Sequence, residues 1–210
     1  MWQRTLMSAS LHVRQYLAHY LIIGFFLLVG LSAGVFTVSA LPDDQMDSVS
    51  AFLKAFFKVL KNSTPDIGAI LWESLMNNLK LLLVLFLCGF QIYLIPVSLV
   101  TVGVKGFMVG FTISAFILKY AFGGVLIAAI CVIPPNLIII ACYMRLCAAC
   151  IHNGIERHKL KRALRNRRVQ VNYAPYVQLS CKICIACILG IMLESILAPF
   201  VLKLFAGLVA

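Results

Sequence analysis

The sequence predicts an all-α, polytopic integral membrane bundle of about five transmembrane helices, with one extracytoplasmic amphipathic helix. Three observations lead there. Hydrophobic residues make up 62% of the 210 positions and charged residues 12%, where soluble domains run at roughly 45–50% and about 25%. The mean hydropathy is +1.00, which leaves too little polar surface to coat a soluble globule. Apolar runs of spanning length recur along the chain, separated by short polar or basic stretches. The same composition excludes a soluble enzyme, a disordered chain and a secreted disulfide scaffold. The chain reads as a single membrane domain, residues 1–210, with little left over for a soluble catalytic unit.

Residues 1–20 are polar and basic, with Arg4, His12, Arg14 and His19, and read as a cytoplasmic tail. Leu21–Leu41 is an apolar run of 21 residues, enough to cross a hydrocarbon core about 30 Å thick. Val38-Ser39-Ala40 resembles a signal cleavage site. A signal core is only about 7–15 residues long, so the run reads as a retained span.

Residues 42–78 form the first polar stretch and hold five of the seven acids: Asp43, Asp44, Asp47, Asp66 and Glu73. Inside it, Val49, Phe52, Leu53, Phe56, Val59 and Leu60 fall on one helical face, and Ser50, Lys54, Lys58 and Lys61 on the other. Asp47 or Ser48 can cap its start. Such a helix lies in the membrane interface or docks on neighbouring spans. Phe52 and Phe56, with Lys54, Lys58 and Lys61, are the candidates for docking a partner. Asn62-Ser63-Thr64-Pro65-Asp66 is a break. The stripe Ile67, Ile70, Leu71, Leu75, Leu79 then leads into a second span, from Leu79 to about Val100.

Lys105 reads as a turn, followed by a third span from Gly106 to Leu118 and its far end at Lys119-Tyr120. Ala121–Ile151 is apolar apart from Arg145, with Pro134-Pro135 near its middle. Residues 152–178 are a basic loop holding seven of the 18 Lys and Arg residues. The final apolar run, Leu179–Ala210, contains Lys182, Glu194 and Lys203.

Positive charge belongs on the cytoplasmic side, so the basic N-terminus and the basic loop share that side. Three spans place Lys119 outside. Ala121–Ile151 must then cross once, as a tilted, proline-kinked helix. The expectation is five spans, N-terminus in and C-terminus out. A hairpin broken at the prolines would give six spans instead and violate the charge bias. The net charge of +11 is explained by this orientation signal and by attraction of anionic lipid to the basic loop, and nucleic acid is not expected as a partner.

Glu194 lies mid-span, where a charge costs at least about 2.5–3.5 kcal/mol and requires a partner, a cavity or a proton. Asn136, just after Pro134-Pro135, can bond carbonyls that the prolines leave free. Gly30-x-x-x-Gly34 and Gly106-x-x-x-Gly110 let helix backbones approach closely. Cys147-x-x-Cys150 and Cys181-x-x-Cys184 flank the basic loop. Four thiolates there form a zinc alternative, but cysteine is also a small apolar residue suited to helix packing, and no metal or other cofactor is expected. No Ser-His-Asp set, His-rich triad or P-loop appears, and all four histidines fall outside the expected spans.

Several features in order resemble the stage II sporulation protein M family. They are the basic N-terminus running into one span and the outer Phe-rich amphipathic helix. Asn78-Leu79-Lys80 follows, then Gly89, Pro96 and the Gly103/Gly106/Gly110 series. Ile133-Pro134-Pro135-Asn136-Leu137 and Leu193-Glu194-Ser195-x-x-Ala198-Pro199 complete the set. At Pro135 the chain departs from a histidine common in the family. The resemblance implies a non-catalytic scaffold in the sporulation septum and engulfing mother-cell membrane. It would recruit stage II sporulation proteins D and P, which cut septal peptidoglycan during forespore engulfment. A small permease or channel subunit using Glu194 and the proline-broken helix is the alternative.

Overall fold

The computed structural model describes residues 17–62, 67–163 and 173–206; the side chains of 52–54, 56–62, 67, 161, 163 and 198–206 lie outside the description. All regular structure in the described residues is helical. Helix α1 is Leu17–Ser39, α2 is Asp43–Asn62 and α3 is Ile67–Cys88. A 3-10 turn at Ile92–Leu94 leads into α4, Ile95–Tyr120, which ends where Ala121 takes φ 47° and ψ −119°. Helix α5 runs from Phe122, through a π-helical turn at Ala128–Val132, to Ala163. Helix α6 is Ala174–Ala206.

By length and composition, four stretches can cross a membrane: Leu17–Ser39, Gly68–Cys88, Ile92–Leu160 and Ala174–Leu197. The third is 69 residues long and folds back on itself at Ala121. Phe116 lies against Gly124, where an added Cβ would fall on the Phe116 carbonyl oxygen. Val109 and Phe116 of α4 pack on Ile127, Cys131 and Val132 of α5, and Ser98 meets Cys147 further along. The described residues therefore form five long helical arms. Successive arms alternate in direction, and α1 and α4 run parallel.

Ala121 occupies backbone space that is nearly exclusive to glycine and costs about 1–3 kcal/mol for other residues. Ala121→Gly is expected to stabilise the α4–α5 hairpin by about 1 kcal/mol, read as a higher unfolding midpoint in detergent micelles. Ala121→Val should lower it. Equal midpoints for all three chains would show that the turn is unstrained.

The bundle is apolar inside and out. Its core gathers Ile23 of α1, Leu82 and Leu85 of α3, Val102 of α4, Leu146 of α5 and Ile191 of α6. The outer surface exposes Phe25, Leu28, Phe36, Leu83, Leu137 and Leu189. In water such a surface would drive aggregation; in lipid it matches the solvent.

Several boundaries differ from the sequence reading. The second span ends at Cys88 instead of running to Val100, because Gly89–Gln91 and the 3-10 turn break it. The third starts at Ile95, with Pro96 in its first turn, where the missing N–H costs nothing. Lys105 is therefore inside a span and marks no turn. Helix α2 starts a turn earlier than Asp47, with Asp43 and Asp44 in its first turn, a favourable place for acids. Ser48 bonds back to the Asp44 carbonyl instead of capping. His19 lies within α1. The basic segment is helical up to Ala163 and again from Ala174. At Pro134-Pro135 the chain continues in one direction, since the π turn absorbs the disturbance.

An aromatic clasp holds the α3–α4 turn. The Tyr176 hydroxyl donates to the Phe86 carbonyl at 2.9 Å, and the two rings stack. Asn153 donates to the Gly89 carbonyl at 2.8 Å, and the Arg157 guanidinium lies 3.5 Å from the centre of the Tyr173 ring.

Candidate functional site

The charged and polar side chains of four arms meet inside the bundle. Lys105 of α4 is only 6% exposed. Its ammonium donates to the Asn78 side-chain oxygen at 2.9 Å and stands 5.9 Å from the centre of the Tyr143 ring. Asn78 lies on α3, and its amide nitrogen donates to the Ser74 carbonyl at 2.9 Å. The fully buried Tyr143 of α5 donates its hydroxyl to the Asn78 carbonyl at 2.9 Å. One asparagine thus joins three arms.

Glu194 of α6 closes the arrangement from the other side. Its carboxylate accepts from the Ser74 hydroxyl at 3.5 Å and from the Asn136 amide at 3.4 Å. The Asn136 amide also donates to the Val132 carbonyl at 3.0 Å. The chain of contacts runs Lys105, Asn78, Ser74, Glu194, Asn136. The ammonium and the carboxylate are linked through neutral groups, the Asn78 side chain and the carbonyl and hydroxyl of Ser74, and make no direct ion pair with each other.

Burying an ion away from water costs several kcal/mol unless hydrogen bonds and an opposite charge offset it. Here each ion has polar partners, and each lies in the field of the other. Chemically, the arrangement can fix the register of four helices. A carboxylate and an amine in one connected chain can also take up or release a proton.

The model of the stage II sporulation protein M family matches residues 22–209, about nine-tenths of the chain. The chain belongs to the stage II sporulation protein M family. It is a multi-pass helical membrane protein of a sporulation family. No curated protein and no solved structure matches it significantly.

In this family member, the fold brings together Glu194 and Asn136, two of the residues singled out from sequence. It adds Lys105, Asn78, Ser74 and Tyr143, which sequence reasoning missed. A signal for Lys105 existed. A span from Gly106 to Leu118 has 13 residues, about 20 Å of helix, too short for a core about 30 Å thick. Extending it backward through Lys105 restores the length.

Gly30 and Gly34 face the second glycine series. A Cβ at Gly30 would fall on the Gly103 carbonyl, and one at Gly34 on that of Phe107. Gly106 would strike the Leu27 carbonyl at 2.5 Å, and Gly110 that of Leu31. Pro134 and Pro135 sit in the first turn of α5 after its π-helical segment, immediately before Asn136.

The four cysteines of the zinc alternative do not converge. Cys147 and Cys150 are buried on α5, Cys181 is exposed and Cys184 half-buried on α6. Cys147 turns inward to Ser98. Among the described residues, no group of three His, Cys, Asp or Glu is placed to hold a metal.

Helix α2 contacts α6, and Val49 packs against the cluster at the α4–α5 turn. Met46, Val49 and Ser50 turn inward, while Asp43, Asp44 and Asp47 are exposed. The side chains of the docking candidates Phe52, Phe56, Lys54, Lys58 and Lys61 lie outside the described residues.

Proposed function

We propose that this chain is a non-catalytic membrane scaffold of the sporulation engulfment complex. In this reading it sits in the septal and engulfing mother-cell membrane and recruits septal peptidoglycan-degrading proteins, with stage II sporulation proteins D and P as partners. Membership of the family supports the sporulation setting. The observation that carries the scaffold reading is how the internal polar groups are used. Lys105, Asn78, Ser74, Asn136 and Glu194 bond one another across four arms, which holds a bundle together. Helix α2 is then the helix outside the five long arms, packed on α6 and on the α4–α5 turn, on the side where α1 ends and α3 begins. With the N-terminus in the cytoplasm, that side faces the wall.

The buried Lys105 and the half-buried Glu194, both within the long arms, are the observation that favours a small permease or channel subunit. Against it, neither the cavity beside Arg157 nor the groove between α5 and α6 is lined by either residue.

The test is affinity capture from sporulating cells. With Lys54→Glu and Lys58→Glu together, the chain should reach its normal membrane level but recover less of proteins D and P. Unchanged recovery would remove this face of α2 from recruitment. Recovery of neither protein by the native chain would sink the scaffold reading.

A further inference from the structure

A groove of about 590 Å³ opens on the outer surface between α5 and α6. Its apolar wall includes Leu137, Ile138, Ala141 and Ile183, and two cations, Arg145 and Lys182, stand in the same groove. One comes from each helix. The antiparallel register is set by Asn136 against Glu194 and by Gly190 against Ile138 and Ile139. It brings Arg145 level with Lys182 to within one turn.

No acidic residue lines the groove. Both cations are exposed, and among the described residues neither makes an ion pair. The cations stand toward the end nearer the basic segment that follows Ile151, with only Leu179 of the lining beyond them. The apolar wall runs from there toward the middle of the bundle. Charge at one end and hydrocarbon along the rest match a phospholipid in both chemistry and direction.

We propose that this groove binds one anionic phospholipid, its phosphate between Arg145 and Lys182 and an acyl chain along Leu137, Ile138, Ala141 and Ile183. Long basic side chains on apolar walls extend toward headgroups, and two on facing helices define one place for one phosphate. An anionic headgroup is favoured over a zwitterionic one because it carries no cation of its own to compete with them. Occupancy would bridge α5 and α6 and make their pairing depend on the anionic-lipid content of the membrane. The site is separate from the general attraction of the basic segment 152–178 for anionic lipid.

The full chain, purified in a neutral detergent, is titrated with phosphatidylglycerol, phosphatidylcholine and inorganic phosphate. Bound lipid is read by native mass spectrometry and the unfolding midpoint is followed in parallel. Phosphatidylglycerol should bind at one copy per chain and raise the midpoint; phosphatidylcholine and phosphate should do neither. Arg145→Gln with Lys182→Gln should weaken phosphatidylglycerol binding roughly 10–30-fold. Both side chains are exposed, so the lipid-free midpoint should stay unchanged. Neutralising Lys159 and Arg162, which are equally exposed but outside the groove, should leave that binding largely intact. Equal loss with the Lys159/Arg162 pair would overturn the site, as would undiminished binding in the groove variant. An equal response to phosphatidylcholine would overturn the anionic preference, and an equal response to phosphate would overturn the lipid.

Discussion

Replacing Gly106 with leucine is expected to prevent the bundle from assembling. Helices α1 and α4 run parallel and touch backbone to backbone along Gly30, Gly34, Gly103, Gly106 and Gly110. A Cβ at Gly106 would meet both the Leu27 carbonyl and the Leu31 nitrogen. These are main-chain atoms of a helix and cannot swing aside as a side chain can. The only relief is separation of the two helices. Because they have no hydrophobic driving force between them in lipid, close van der Waals packing is what holds them. Overpacking typically costs about 1–3 kcal/mol, and a backbone clash belongs at or above the top of that range. Gly30→Leu should behave alike. Gly24 is the control on the same helix: a Cβ there meets nothing within 4 Å. Gly24→Ala should be neutral or slightly stabilising, by up to about 1 kcal/mol of helix propensity. The readouts are protein level in the membrane and monodispersity after extraction. A well-behaved Gly106→Leu chain would mean that α1 and α4 do not pack through this stripe.

Glu194→Leu should produce the second large effect. It removes the acceptor for the Ser74 hydroxyl and one of two acceptors for the Asn136 amide. It also leaves Lys105 buried without its nearby opposite charge. Lost hydrogen bonds of this kind cost about 1–3 kcal/mol, and an uncompensated buried ion raises the cost toward about 3–5 kcal/mol. Glu194→Gln keeps the hydrogen bonding at that position and loses only the charge opposite Lys105, so it should cost less than Glu194→Leu and leave the protein level near normal. The decisive measurement is a double-mutant cycle with Lys105→Met. If the two charges stabilise one another through Asn78 and Ser74, Lys105→Met should cost less in the Glu194→Leu background than in the native chain. A coupling of about 0.5–3 kcal/mol is expected. Strict additivity would mean that the charges do not sense each other. Loss of sporulation with Glu194→Gln at normal protein level would instead show that ionisation matters, and would move the balance toward a permease.

Much of this architecture could be read from the chain. The helical membrane class follows from a polar fraction too small for any other solvent. The amphipathic α2 follows from a helical stripe, and the basic segment after Ile151 from its charge count. The intramembrane status of Glu194 was visible because eleven uncharged residues separate it from Lys182 on its N-terminal side. All of these are properties of neighbours along the chain, and a hydropathy argument needs nothing more.

The tertiary structure decided what depends on partners from elsewhere in the sequence. Read along the chain, Lys105 resembles a turn, since a lone cation between glycines is costly in lipid. In the fold it is affordable at mid-span, because Asn78 lies against it from α3 and Glu194 stands nearby on α6. The two glycine motifs announced close packing but named no partner; the parallel pairing of α1 with α4 supplied it. The cysteine spacings are equally compatible with convergence and dispersal, and the register of α5 against α6 turned Cys147 inward and Cys181 outward. The reversal at Ala121 had no glycine or proline at that position to announce it. The physical reason is common to all four. The cost of burying a charge, a thiol or a bare backbone is fixed locally, but the contacts that offset it come from helices distant in sequence.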